Sequence, residues 1–431
     1  MTAEGTARVT LSVRQAAFIG VGAMVGAGIF ALLGAAGEVA GSAVWVSFLF
    51  AGAVAALQGY SFAKFGARYP TGAGLLEYVV RGFGNGHLTG VVGWLILAAN
   101  AIITAMVAVS FGSYANAAFT DGGRAWTAAF AVLVVAVMVL LNIMGSQVVA
   151  RAQTIVVVVV IGILTVFAVT TLANLDPDLL AFSGYPSLRD IVSSVALTFF
   201  AFLGFGVITF TAKDLADPVR ELPRAVFLAL GIATVVYVAV AIGVFGTLTV
   251  DEVIDSGGTA LAVAAEPVLG NAGYWMMSVT ALFATAGATN AGLYPAAGLC
   301  SQMSSMGQFP PALGRTVGHR APAGLLLTAV VAAVLSVGFD LSSIASLGSA
   351  VALVVFTLVT VGHLRVYRET GARPAVLVLA VATTVIVLVT FAVTTLVDEP
   401  GTTVAIAAIL VMSILLDVFW KRARARRAVD A

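Results

Sequence analysis

The chain is poor in charge: of its 431 residues only 10% are Asp, Glu, Lys or Arg, where a soluble domain carries roughly 25%. One cysteine and three histidines leave too little material for a disulfide framework or a metal cage. Cys300 lies inside an apolar stretch and has no second cysteine to pair with. No Asp, Glu, Lys or Arg falls near the middle of any long apolar run, which argues against a buried proton relay and against a cargo with a charged side chain. A membrane-embedded enzyme needs positioned nucleophiles, bases or metal ligands at membrane depth. The apolar runs offer hydroxyls with no His, Asp or Glu to activate them, so no enzymatic role, cofactor or metal is expected. A channel calls for rings of charge or a carbonyl filter, and the runs carry no such rings.

What is present is apolar surface, 61% of residues at a mean hydropathy of +1.08. At about 20 residues per crossing, the runs predict an all-α integral membrane protein of about twelve helices, near 15–37, 42–66, 88–118, 124–142, 148–173, 188–212, 224–249, 272–303, 322–339, 342–367, 373–397 and 400–420. The first run follows Arg8 and Arg14 as a leader would, but it is longer than a leader's apolar core and is expected to be retained. With both termini inside, all of the 21 basic residues except Arg124 and Arg189 fall on the cytoplasmic side, as the positive-inside rule requires. The opposite loops are acidic, with Asp176, Asp178, Asp251, Glu252, Asp255, Asp398 and Glu399. The tail KRARARR follows Trp420 at the end of the last run. It reads as an anchor on anionic lipid headgroups rather than as a nucleic-acid patch. The segment from Thr71 to Phe83, with apolar residues around Glu77 and Arg81, reads as a short helix on the cytoplasmic surface.

Two spans contain interruptions. The first carries GVGAMVGAGIF, Gly20 to Phe30, and the sixth carries FFAFLGFGVITF, Phe199 to Phe210, with Gly204 and Gly206 among bulky residues. Glycine costs roughly 1 kcal/mol against alanine inside a helix, and unwound backbone is tolerated in a bilayer only where it is buried in protein or lines a cavity. Close helix packing explains Gly22 and Gly26 equally well when they are taken alone. The two interruptions stand five spans apart, however, so they open corresponding helices of two five-helix units, 15–174 and 188–368. An odd-numbered unit inserts upside down on repetition, and paired breaks of this kind point to a transporter's central site. Free amides there carry partial positive charge and free carbonyls partial negative charge, which suits a zwitterion. Amides around Gly26, Ala27, Gly28 and Ile29 are expected to hold a carboxylate, and carbonyls around Phe200, Ala201, Leu203 and Gly204 an ammonium. Asn100 and Thr104 in the third span are candidate lining residues, because an amide in a span is costly unless bonded.

These residues are recognisable. The sequence resembles the amino acid-polyamine-organocation (APC) superfamily of permeases, and in particular its bacterial and archaeal amino acid permeases, over most of the chain. GVGAMVGAGIF resembles the family's first-helix signature. FFAFLGFG followed by KDLADPVRELPRAV, ending at Val226, resembles its sixth helix and the loop beyond, and Ala281 to Pro310 is similar to its eighth helix. The resemblance implies a 5+5 inverted-repeat core with discontinuous helices 1 and 6. It further implies two peripheral helices over 373–420, a cytoplasmic N-terminus over 1–14 and a basic tail over 421–431. It implies alternating access for an amino acid, with Phe200 as an aromatic gate, in a multi-pass plasma-membrane protein whose termini are cytoplasmic. A coupling ion, H+ or Na+, is possible within the family, and Thr285 and Thr289 are the candidate sodium ligands. Proton-linked relatives with a lysine in helix 5 differ from this chain, which has the apolar run Ile155 to Ile163 there. The expected partners are the amino acid and the lipid bilayer. A polyamine or an inorganic ion is the alternative cargo, and oligomeric state is left open.

Overall fold

A computed structural model describes residues 11–26, 28–70, 74–120, 122–144, 147–317 and 321–429. The described chain is almost wholly helical. In order it forms α1 (Val13–Val25), α2 (Ile29–Ala40), α3 (Val44–Arg68), α4 (Leu75–Phe83), α5 (His87–Phe119), α6 (Arg124–Met144), α7 (Gln147–Ala173) and α8 (Leu188–Phe200). A 3-10 helix, Leu203–Asp214, continues from α8. Then come α9 (Pro218–Phe245), α10 (Val250–Ser256), α11 (Ala260–Ser305), α12 (Ala323–Gly338), α13 (Leu341–Thr370), α14 (Pro374–Asp398) and α15 (Pro400–Val429). Among the described residues nine segments are long and apolar enough to cross a membrane, and α1 and α12 are shorter apolar helices.

Local chemistry sets the ends. Ser12 caps α1 through a reciprocal pair with Gln15, and Thr249 caps α10 in the same way with Glu252. Each pair satisfies two amides that the first turn leaves open. Backbone and side-chain hydrogen bonds from Thr249 hold the Glu252 carboxyl below its ordinary value. Asp217 caps α9, whose first residue is Pro218, and Gly371 ends α13 at φ 64°, a left-handed position that glycine adopts freely. The eighth predicted span lies inside a longer α11, which is interrupted at Gly270 with φ 68° and ψ −170°.

Burial sorts the bundle into a core and a rim. The most apolar windows of α5, of α13 and of α8 with its 3-10 extension are 78–83% buried inside the protein, against 17% for α6 and for α15. The rim helices expose Val, Leu and Ile, the surface a bilayer solvates. The segment expected on the cytoplasmic surface is more embedded than that: in α4, Leu76, Tyr78, Val79 and Gly82 are buried, while Thr71, Gly72 and Ala73 lie outside the described residues. Burial pushes the Tyr78 phenol well above its ordinary value, so it stays neutral.

At the end of the bundle that carries the basic loops, α15 is tied down. The buried Asp417 carboxylate sits 2.6 Å from His87 Nδ1 and 2.9 Å from Lys421 Nζ. Trp420 Nε1 and Arg424 Nη1 donate to the Gly307 carbonyl at 3.0 and 3.1 Å. At the other terminus Leu11 forms a parallel bridge with Leu215, its amide donating to the Asp214 carbonyl at 2.8 Å.

Candidate substrate site

The first interruption is a three-residue gap between α1 and α2. Neither Gly26 nor Gly28 has a positive φ, so glycine is required there for approach and not for backbone freedom. A β-carbon on Gly28 would stand 2.3 Å from Ala201 Cβ and 2.7 Å from its Cα, and one on Gly26 would stand 2.4 Å from the Ala284 carbonyl oxygen. The gap is therefore pressed between the second interruption and α11. Ala27 lies outside the described residues. Gly28 stands at the N-cap of α2 with no side chain capping it, and Ile29 and Phe30 are buried, so an uncapped helix N-terminus with its partial positive charge faces the protein interior. The Gly28 amide donates to the Met24 carbonyl at 3.0 Å, while the Ile29 amide has no backbone acceptor among the described residues.

The second interruption is built differently. α8 stops at Phe200, and after two turn residues the chain winds as a 3-10 helix for twelve residues, long for a geometry seldom kept beyond three or four. The carbonyls of Thr198 and Phe199 accept from the amides of Ala201 and Phe202 at 3.1 and 3.0 Å. Tyr237 Oη donates to the Ala201 carbonyl at 3.1 Å. Leu203 is enclosed in the 3-10 helix, whereas no backbone donor among the described residues reaches the Phe200 carbonyl. A β-carbon on Gly204 would stand 2.5 Å from the Ala23 carbonyl carbon and the Met24 nitrogen. The two broken helices thus touch backbone to backbone.

Beside this contact lies a cavity of about 380 Å³, walled by Ala23, Phe200, Leu203 and Gly204 from the breaks, by α5 and α13, and by the later half of α11. It extends to Leu75, Phe210, Gln302 and Pro322, towards the end of the bundle that carries the basic loops. On the opposite side it is shut. The Phe200 ring fills the space over Gly348, where a β-carbon would lie 2.2 Å from the ring and 3.0 Å from Ile102 Cγ2. Tyr114 stands edge-on to Phe30, ring centroids 6.2 Å apart, and donates to the Phe30 carbonyl at 3.4 Å. The wall holds no charged side chain and three amides, those of Asn100, Asn142 and Gln302.

The remaining candidates fall around this cavity. Thr104 is buried, donates back to the Asn100 carbonyl at 2.7 Å and packs on the wall residue Gly292 of α11 without itself lining the cavity. Thr285 and Thr289 are buried on α11 and donate one turn back, to Ala281 at 2.6 Å and Thr285 at 2.9 Å, a local bond common to helical threonines. The small void of about 10 Å³ between the first gap, α7 and α11 is lined by Val, Ala and Gly. Among the described residues no cluster of three His, Cys, Asp or Glu is arranged to hold a metal. Asn142 is a wall residue that the sequence reading passed over. Its Nδ2 donates to Met138 at 2.8 Å and to Asn290 Oδ1 on α11 at 2.5 Å. An amide within a span is as costly unless bonded at Asn142 as at Asn100, a signal present in the sequence at both positions.

An apolar helical bundle in which two interrupted helices meet beside an uncharged, one-sided cavity defines a membrane permease. The chain belongs to the amino acid permease family of the APC superfamily: the family model described as Amino acid permease matches residues 11–416. It is 33% identical to the inner membrane transport protein YbaT of Escherichia coli over 375 residues, 86% of this chain and 87% of that protein. It is 27% identical to the branched-chain amino acid permease BcaP of Lactococcus lactis, over 84% of this chain and 82% of that protein. Identity to the methylthioribose transporter of Bacillus subtilis is 26%, over 82% and 80% of the two chains. The protein is accordingly a multi-pass membrane transporter.

Proposed function

We propose that the protein is a secondary active transporter of neutral L-amino acids, working by alternating access, with the zwitterion bound between the two interrupted helices. One observation carries this reading: a buried, uncapped α2 N-terminus at Ile29 and the open carbonyl of Phe200 are brought together by the Gly28–Ala201 contact. A carboxylate suits the first group and an ammonium the second. The uncharged wall favours a neutral side chain, and its volume is of the size that small-molecule sites have. In this reading α1 with α2 and α8 with its 3-10 helix are spans 1 and 6 of twelve. The first ten spans form two inverted five-helix repeats, and α14 and α15 are peripheral. The basic end faces the cytoplasm of a plasma-membrane protein, and the cavity opens inward.

A second cargo class has its own support. The amides of Asn100, Asn142 and Gln302 in the wall could serve a polyhydroxylated cargo, and one relative is named a methylthioribose transporter. A polyamine is disfavoured by a wall without carboxylates. The deciding experiment is thermal unfolding of the purified protein with a panel of L-amino acids and a thiosugar, in sodium, in potassium and across pH. Ligands that bind the folded state raise the melting temperature by mass action. Stabilisation by a neutral amino acid that Gly28→Leu abolishes supports the reading, and its ion dependence identifies the coupling ion. A thiosugar hit without an amino acid hit replaces the cargo.

A further inference from the structure

Five buried side-chain hydroxyls have no hydrogen-bond partner among the described residues: Ser110, Ser194, Thr328, Ser346 and Ser349. Other helical hydroxyls in this protein bond back to their own helix, as Ser113 does to Val109 at 3.1 Å, or across to a neighbour, as Ser47 does to the Ile191 carbonyl at 3.2 Å. Ser110, Ser194 and Ser349 are fully buried and Ser346 is 1% exposed. A buried hydroxyl left unpaired carries the full desolvation penalty of the group and calls for an explanation.

Four of the five lie level with or beyond the Phe200 seal, on the shut side of the cavity. Phe200 seals against Gly348 and Ile102. Beyond that seal α5 and α13 run antiparallel: Ile102 meets Gly348, and further out a β-carbon on Gly258 would touch both Ser113 and Leu341, each at 3.2 Å. Ser349 is therefore level with the seal, Ser346 is one turn outward, and Ser110 stands eight residues past Ile102, about 12 Å along the helix axis. Ser110 also continues the face of α5 that lines the cavity, being seven residues beyond Ile103, a spacing that returns to one helix face. Ser194 lies outward of Phe200 on α8, seven residues before Ala201.

We propose that Ser349, Ser346, Ser194 and Ser110 line the outer leg of the transport path and hydrate when the Phe200 seal opens. In the present state the seal closes over them, and their hydroxyls are stranded. In the opposite state water and the passing polar cargo supply the missing partners. The proposal rests on the alternating-access reading above and deepens it by naming the outer wall.

The test uses single cysteines at Ser110, Ser346 and Ser349, with Cys300 as the buried background thiol and Thr328→Cys as an unpaired hydroxyl off the track. In intact cells, a membrane-impermeant cationic thiol reagent added outside is expected to label the three track cysteines severalfold above wild type and above Thr328→Cys. Bulky substitution of Gly348, which displaces the Phe200 ring from its seat, should open the seal and raise labelling of the three track cysteines further. Background labelling of all three track cysteines, in variants that still transport, overturns the proposal. Ser349→Ala is the second measurement: removing a stranded hydroxyl should raise the melting temperature while slowing turnover. A lower melting temperature with unchanged turnover marks an ordinary structural serine and also overturns it. The labelling depends on the path and not on the cargo, so labelled tracks without amino acid uptake would retire the cargo assignment and leave the outer leg standing.

Discussion

The two interruptions perform one task with opposite materials. The first separates two α-helices by three residues, and its glycines keep ordinary negative φ values; they are there because neighbouring backbone leaves no room for a side chain. The second carries no gap of that kind. It keeps its bulky aromatics and changes winding, from α to 3-10, so that most of its backbone groups stay bonded. One break is opened by removing side chains and the other by retwisting the chain. A polar opening in an apolar bundle thus needs only one partner to be stripped bare, and the other can supply the wall and the seal.

The sharpest way to break this comparison is at Gly204, the one place where the second helix also needs a bare backbone. Gly204→Ala drives a β-carbon to 2.5 Å from the backbone of α1. Overpacking costs about 1–3 kcal/mol where side chains can yield, and more is expected here because the obstacle is main chain, with loss of transport. Gly206→Ala, two residues on, meets nothing closer than 3.8 Å and should unfold within a degree or two of wild type, a shift of well under about 1 kcal/mol. Comparable damage from both would show that the retwisted helix, and not the contact, is what glycine serves.

Next in size is Gly28→Ala, expected to cost about 1–3 kcal/mol because its β-carbon meets Ala201. Ala201→Gly should recover part of that loss in the double variant, since residues in contact couple by about 0.5–3 kcal/mol. Strict additivity in thermal unfolding would remove the proposed contact between the breaks. Tyr237→Phe takes one donor from the Ala201 carbonyl and keeps the ring. A loss of about 1 kcal/mol in stability is expected, and ligand-induced stabilisation reports whether the freed carbonyl changes affinity. The smallest effects belong to the outer ends, where the two broken helices are built alike: Ser12 caps α1 and Ser187 caps α8. Ser12→Ala and Ser187→Ala should each cost about 1 kcal/mol and leave ligand binding untouched.

Much of this architecture was legible because a bilayer imposes it. Apolar runs of crossing length marked the helices, and the glycines of GVGAMVGAGIF and the Gly204–Gly206 pair marked both breaks. What could not be read are partnerships that exist only once distant helices meet. The Gly28 amide turns back to Met24, and the Ala201 carbonyl is taken by a tyrosine on α9. The hydroxyls of Thr104, Thr285 and Thr289 turn onto their own helices. Each is a short-range or cross-helix bond that residue type permits but does not dictate. The buried Asp417 escaped notice for a related reason: at the end of the last apolar run it resembled an ordinary interfacial charge until α5 closed over it.

The contact between Gly28 and Ala201 also sets a schedule. The two residues are about 170 positions apart, and at a synthesis rate of about 5–20 residues per second roughly ten to thirty seconds pass between their emergence from the ribosome. For that interval the gap between α1 and α2 has neither its opposing wall nor the fold around it. The nascent first span must wait with open backbone groups in a half-built bundle, sheltered by water, lipid headgroups or the insertion machinery, until α8 arrives to cover it.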